Sequence, residues 1–521
     1  MDAKKRILSM ILISSLVLSL AACGAAASEE ETATPSDGGG AVEEEPAYEG
    51  ERSIVLSDSG VTLDGEEVTA GSGAVTVGND IVYYEEGHDE SYGEGTAEDE
   101  HSVEEAASHT VVSICEPGTY RISGTLSQGQ IAIDLGEDAE DDPDAVVTLI
   151  LDNADVTCTV APALIFYNVY ECGSDDESTA TYDVDTSAAG ANVIIADGSE
   201  NSFTGSYVAR IYEEGTTDKL HKYDGAFYSK MTMNVSGEAE GTGVLNISGE
   251  NEGLDTEMHL TINGGVINIE AANDGINTNE DNVSVTTING GTLTIDAGLG
   301  AEGDGIDSNG WLVINGGTVF ASACAEGGDS GIDATLEIII NGGTVMALGN
   351  MFDTVSADSA QEYLTLTLTK SVEAGSAVEL TDSNGNALFS FTAPKAASML
   401  LLSSPEVVSD AQYTLSVDGE EREYSSDGGM MGGPGGAPSG MRGGFMEIPE
   451  GLESYLETAE DMPDEIRSWL EGLLEQQNTF RDMESPEGMD AQQDRPEALP
   501  DGVRETQPDS GEAALADSSA E

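Results

Sequence analysis

Basic residues are scarce in this chain. Its 521 residues include 17 Lys and Arg against 100 Asp and Glu, a formal net charge of −83. Nucleic acid is excluded as a partner, since binding it relies on Lys and Arg to release counterions from phosphate. An anionic membrane surface is excluded as a direct partner for the same reason. Aromatic residues make up only 5% while Gly numbers 63, which suits thin β layers with many corners and argues against a layered α/β core. The five cysteines, Cys23, Cys115, Cys158, Cys172 and Cys324, match no metal-motif spacing, and no disulfide is read from them. One long apolar run exists, Ile7 to Leu20, and its 14 residues are short for a membrane span.

What the chain does have is a period. Ile262-Asn263-Gly264-Gly265 recurs at Ile288, Ile314 and Ile340, each copy 26 residues after the last. A fixed period of this length is the mark of stacked repeats. Around the third copy Leu312 and Ile314 alternate with Trp311 and Val313, then Val319 and Ala321 with Thr318 and Phe320. Alternation on both sides of a Gly-Gly pair means two short strands meeting at a tight corner. Leu254, Ile306 and Ile332 supply a third apolar point eight residues before three of the repeat isoleucines. Three strand contacts per repeat, with no room for a helix, describe one coil of a parallel β-helix. Such a coil is unstable alone, and stacking at about 4.8 Å lets neighbours satisfy its backbone.

The remaining segments follow in order. Residues 1–22 carry Lys4, Lys5 and Arg6, the apolar run and Leu20-Ala21-Ala22 before Cys23, the pattern of a secretory signal. Residues 23–52 read as an acidic flexible spacer and 53–425 as the β domain. Within it Val111–Ile114 and Gly118–Leu126 look like a hairpin, and the coils are expected to start near Ile131 or Val146. Beyond Leu348 the period stops, and alternating runs such as Leu364–Leu368 and Tyr413–Val417 read as an antiparallel cap over the open end. Residues 426–446 form a Gly/Met-rich linker, 447–481 two short amphipathic helices, and 482–521 a disordered acidic tail.

Leu-Ala-Ala-Cys resembles the lipobox of bacterial lipoproteins, which implies lipidation of Cys23 and anchoring at the extracellular face of the membrane. Gly118-Thr119-Tyr120, Ser123-Gly124-Thr125-Leu126, Leu149–Ala154, Asp197–Asn201 and Ser229-Lys230 together resemble the bacterial carbohydrate-binding domain-containing protein family. The resemblance covers residues 53–420. It implies a calcium-binding right-handed parallel β-helix, related in shape to pectate lyases, that binds cellulose and acidic polysaccharides. The acidic insertions at Glu85–Ala107 and Asp175–Ser187 depart from that pattern.

Carboxylates recur at the repeat turns: Asp255, Asp274 with Asn277 and Glu280, Asp304 with Asp307, and Asp329 with Asp333. Stacked at about 4.8 Å, two would repel by about 3.5 kcal/mol at an effective dielectric near 20. Calcium, which takes six to eight oxygens, would turn that repulsion into cross-linking. Asp-Gly is also ordinary turn chemistry, so solvated turns are the competing reading. For sugar contact the candidates are Trp311, His259, Tyr223, Tyr228 and Lys230. For catalysis the supply is thin. β-Elimination needs a base, often Lys or Arg, and Met231 to Thr369 contains neither, leaving His221, Lys222, Lys230 and His259.

The expectation is therefore an all-β, lipid-anchored, non-catalytic monomer that binds acidic or cell-wall polysaccharide with Ca2+, structural or ligand-bridging. It touches the membrane only through its lipid. A pectate-lyase-like polysaccharide lyase and an adhesin or cell-wall scaffold are the alternatives.

Overall fold

The repeat isoleucines stand in one column. Leu260–Ile262, Val285–Ile288, Trp311–Ile314 and Glu337–Ile340 pair parallel, with Ile262, Ile288, Ile314 and Ile340 in register. The column continues backward through Val235, Val193 and Leu149. A second column runs Phe203, Ile247, Ile269, Ile295, Ala321, Ala347. A third, in a separate eight-stranded sheet, runs Ile131, Leu164, Phe227, Leu254, Ile276, Ile306. Ile276 is the third apolar point missing from the sequence pattern. The longer turn that follows it puts it twelve residues before Ile288 instead of eight.

The computed structural model describes residue 48 and residues 50–71, 73–87, 99–212, 219–408 and 411–425. The expected signal peptide, Cys23, most of the spacer, the Gly/Met-rich linker, the helical pair and the acidic tail lie outside the described residues. The described residues are all-β with almost no helix: Val103–Ala106 is α-helical over four residues and Glu137–Asp141 is a 3-10 turn. The largest sheet has 20 strands and is mixed. The column isoleucines are fully buried in one continuous core, where each contributes about 1.5–3 kcal/mol relative to exposure. The second glycine of each corner makes the bend: Gly265, Gly291, Gly317 and Gly343 have φ of 95°, 93°, 83° and 88°. A Cβ on Gly317 would also lie 2.8 Å from the Gly291 carbonyl oxygen.

Two expectations about the N-terminal part are corrected. Thr110–Ile114 and Gly118–Leu126 are not a hairpin. The first pairs parallel with Gly129–Asp134, the second parallel with Arg52–Leu56 and Val147–Thr157. Parallel stacking therefore begins at Arg52, not near Ile131, because each strand finds its partner a full turn away. At the other end the expected antiparallel segment is present. Ala397–Ser403 pairs antiparallel with Thr344–Gly349 and with Tyr363–Val372, covering the last strand of the second column. Phe320 and Met346 pack against its core, with the Phe320 ring 5.4 Å from that of Phe391.

The segment Asp175–Ser187 is a strap. Thr186 Oγ1 donates to Asn234 Oδ1 at 2.9 Å and meets Thr261 Oγ1 at 2.8 Å, and the Asn234 amide donates to the Thr186 carbonyl at 2.9 Å. Val184 packs on Val285, Val313 and Ile339. Apolar side chains on the outward row of the corner strands are thereby covered.

Candidate carbohydrate and cation site

The eight-stranded sheet carries a polar row beside its aliphatic column. Asp255, Asn277 and Asp307 pair in register on Glu252–Thr256, Ile276–Thr278 and Ile306–Ser308. Neighbouring turns come this close because Gly253, Gly275 and Gly305 face one another's backbones; a Cβ on Gly275 would lie 2.6 Å from the Gly305 oxygen. Asp255 is fully buried and Glu252 is 3% exposed. Glu252 Oε1 accepts from Asn277 Nδ2 at 3.1 Å, and Asp255 Oδ1 accepts from Asn279 Nδ2 at 2.5 Å. Asn279 Oδ1 in turn accepts from Lys222 Nζ at 2.7 Å, and that ammonium lies 3.5 Å from Asp224.

Half of this network stops short. Glu252 Oε2, Asp255 Oδ2 and Asn277 Oδ1 are buried with no hydrogen-bond partner in the protein, as are Asp329 Oδ2 and Asp333 Oδ1. Buried polar oxygens without partners each cost about 1–3 kcal/mol. Burial, then the Asp224 charge, pushes Glu252 up to about 7. Burial and then Glu252 hold Asp255 well above the carboxylate range. Burial likewise raises Asp274 and Asp307, and lifts Asp304 and Asp333 to about 8. Neighbouring acids add to this: Asp224 raises Glu252, Glu252 raises Asp255 and Asp353 raises Asp333, and such crowding at neutral pH favours a bound proton or a cation.

Asp274 and Asp304 are differently committed. Asp274 Oδ1 accepts the Asp304 amide at 2.6 Å, and Asp304 Oδ1 accepts the Ser330 amide at 2.5 Å, so each carboxylate holds the next turn. Among the described residues no three His, Cys, Asp or Glu side chains converge as a ready set of metal ligands. The donors that remain, paired carboxylate oxygens with an amide oxygen between them, are the hard oxygens calcium takes, completed by carbonyl or solvent oxygen. On chemistry the residues fit.

Two cavities flank this row and share Lys222 and Asn309. One, of about 440 Å³, is lined by Asp224, Glu252, Asp274, Asn277 and Asp307 among others. The other is a cleft of about 700 Å³ whose lining includes Tyr223, Tyr228, Lys230, Glu257 and Glu280. Tyr228 is buried, and its hydroxyl donates to Glu257 Oε1 at 2.6 Å. Burial, then the Glu257 charge, keeps that phenol far from ionising.

The structure thus gathers Asp255, Asn277 and Asp307 in one row, with Asp274 beside them on the smaller cavity, and puts Glu280 with Tyr223, Tyr228 and Lys230 on the larger cleft. Trp311 and His259 sit elsewhere, on the corner column. Trp311 is half-buried against Val285, Val313 and Ile339. His259 is 3% exposed, its Nδ1 accepts the Val285 amide at 3.1 Å, and burial lowers it to about 4. The strap covers the face that alternation marked as outward. Sequence reasoning missed Glu252, Asn279, Glu257 and Asp353. Asn279 was within reach, since period two puts it on the side of Asn277, to which it bonds at 3.3 Å. Glu252, three residues before Asp255, falls off that alternation and gave no signal.

Among known proteins, a carbohydrate-binding domain-containing protein of Acetivibrio thermocellus is 29% identical over 167 residues, 32% of this chain and 47% of that protein. The matched region thus spans about half the relative's length. A solved structure described as the polysaccharide lyase-like protein from C. thermocellum, gadolinium derivative, covers 57% of this chain and 90% of its own at 22% identity, with a TM-score of 0.35. The family model for carbohydrate-binding domain-containing proteins matches residues 108–390. That span takes in more than half the chain and every strand of the polar row, and the chain belongs to the family of carbohydrate-binding domain-containing proteins.

Proposed function

We propose that this protein binds acidic polysaccharide in the cleft beside the polar row, without cleaving it, and that calcium held by the row assists. The carrying observation is the set of buried, unpartnered oxygens of Glu252, Asp255 and Asn277 next to a cleft that presents Lys222 and Lys230. In a chain this acidic, a uronate approaches only where positive charge awaits it. Bound there, a cation would supply neutralisation of the row and an electrophilic contact for sugar carboxylates. Lys222 is oriented by Asn279, and Lys230 is exposed at the mouth. The parallel columns, read as the faces of a right-handed parallel β-helix, would make this cleft a rigid shelf. Lipidation of Cys23 would fix it at the outer face of the membrane.

The test is titration calorimetry with tri- and hexagalacturonate, with calcium and then with chelator. Binding should weaken at least about tenfold on chelation and on Glu252→Gln. Affinity indifferent to both would sink the reading. A second reading, eliminative cleavage, is favoured by one observation: Lys230 and the Tyr228–Glu257 pair line the same cleft. It predicts ultraviolet-absorbing unsaturated products from polygalacturonate that vanish with Lys230→Ala.

A further inference from the structure

The four corners share a chemical liability as well as a bend. Asn263-Gly264, Asn289-Gly290, Asn315-Gly316 and Asn341-Gly342 are Asn-Gly steps, and all four asparagines are exposed. Glycine has no Cβ to shield its backbone nitrogen, so that nitrogen can attack the preceding side-chain amide carbon, the route by which asparagine is labile. The N–Cγ bond forms, the glycine N–H proton passes through solvent to Nδ2, and ammonia departs, leaving a five-membered succinimide. Water then opens the ring: attack at Cγ gives aspartate, and attack at the main-chain carbonyl gives isoaspartate.

The reaction requires the side chain to turn until Cγ meets the next nitrogen at near-attack distance. The asparagine ladder opposes that turn unequally. Asn289, Asn315 and Asn341 each donate Nδ2 to Oδ1 of the asparagine one turn before, at 2.9 Å, so their leaving nitrogens are tied down. Asn263 is held firmly from one side alone. Its Oδ1 accepts from Asn289, but the position below it, one residue past the Val235–Ile262 pair, is Ser236, and Nδ2 reaches Ser236 Oγ only at 3.4 Å. The backbone follows the same gradient. Gly316 and Gly342 donate N–H to the Ile288 and Ile314 carbonyls at 3.3 Å, whereas Gly264 N–H has no backbone acceptor among the described residues. A Cβ on Gly290, Gly316 or Gly342 would lie 2.8, 2.6 or 2.6 Å from the asparagine carbonyl below, but on Gly264 the nearest atom is 3.4 Å away.

We propose that Asn263 is a site of spontaneous deamidation in the folded protein, and that the ladder shields the three corners above it. The aspartate product leaves the ladder intact, because its carboxylate still accepts from Asn289. It also puts a new negative charge in the groove that Asp183 and Asp185 line. The isoaspartate product lengthens the backbone by one carbon, two residues before the bend at Gly265. Asn309 and Asn384 also precede glycine, in other local sequences; Asn309 Nδ2 is tied to the Asn279 carbonyl at 3.1 Å, and Gly385 N–H to the Asp382 carbonyl at 2.9 Å. The corners are the controlled comparison, since all four read Ile-Asn-Gly-Gly.

The test is to age the folded full-length protein in mildly alkaline buffer and quantify each Asn-Gly peptide by mass spectrometry, with isoaspartate counted by enzymatic methylation. Asn263 should convert roughly fivefold faster than Asn289, Asn315 and Asn341, the rate factor of freeing one ordinary hydrogen bond. In denaturant the four should convert at like rates. Ser236→Asn puts a ladder amide below Asn263 and should slow it to the rate of the others. Asn289→Ser recreates the Ser236 arrangement below Asn315 and should speed Asn315 by a similar factor. The proposal is overturned if folded Asn263 is no faster than the other three corners. It is equally overturned if neither variant moves the rate of the asparagine above it.

Discussion

The molecule carries two polar ladders built on one principle and resolved in opposite ways. In the corner column asparagines face asparagines, and each amide is both donor and acceptor, so the series satisfies itself at the surface. In the row of Asp255, Asn277 and Asp307 the side chains are drawn inward and mostly accept, so oxygens are left over. Register is therefore not what makes a site. An in-register series becomes a site when its members lack the complementary half of the hydrogen bond, and only an outside group can supply it.

The comparison breaks hardest at the corner. Gly317→Ala forces a side chain into positive φ and against the Gly291 carbonyl, and should cost about 3 kcal/mol, read as a shift of the denaturant midpoint. A loss under about 1 kcal/mol would mean that the bend tolerates a Cβ and does not set the column.

The inner row should reveal itself through pH. Glu252, Asp304 and Asp333 have folded values near 7, 8 and 8, raised above ordinary carboxylates, so the folded state binds protons that the unfolded state has released. In chelator, stability should be greatest below about pH 4 as regards these groups and fall as pH rises through 7 to 8. Asp255→Asn converts part of the row to amide chemistry and removes a buried negative charge beside Glu252. It should stabilise the chelated protein at pH 8 by about 2 kcal/mol and flatten the pH profile. Thermal melts across pH check both statements, and a chelated wild type that gains stability toward pH 8 would contradict the row's buried-acid character.

The smallest effect is the reverse exchange. Asn289→Asp removes the donor to Asn263 Oδ1 while leaving an acceptor for Asn315, at an exposed position, and should cost about 1 kcal/mol. If it costs nothing, the asparagine column is decoration and its self-satisfaction explains little.

These ladders were unequally visible in the sequence. The corner column was legible to the residue, because Ile-Asn-Gly-Gly couples a buried isoleucine to a bend that needs glycine, at constant spacing. Ile276 escaped because its turn is longer, and the parallel partners of Arg52–Leu56 escaped because nothing local distinguishes a strand that pairs next door from one that pairs 68 residues on. The registry of the acids was readable too. Which of their oxygens would be stranded was not, since that depends on Lys222 and Asn279 arriving from other turns. His259 is covered by Gly173, where a Cβ would lie 2.8 Å from the imidazole, a contact with no periodic signature.

Constant spacing has an engineering corollary. Since Ile288 and Ile314 occupy equivalent rungs, excising residues 288–313 as a block would present Ile314 to the same neighbour that Ile288 now meets. Duplicating that block would add a rung just as smoothly. The scaffold behaves as a ruler that can be lengthened one notch at a time, whereas trimming this notch also takes Asp304, Asp307 and Asn309 out of the polar row and its cavities.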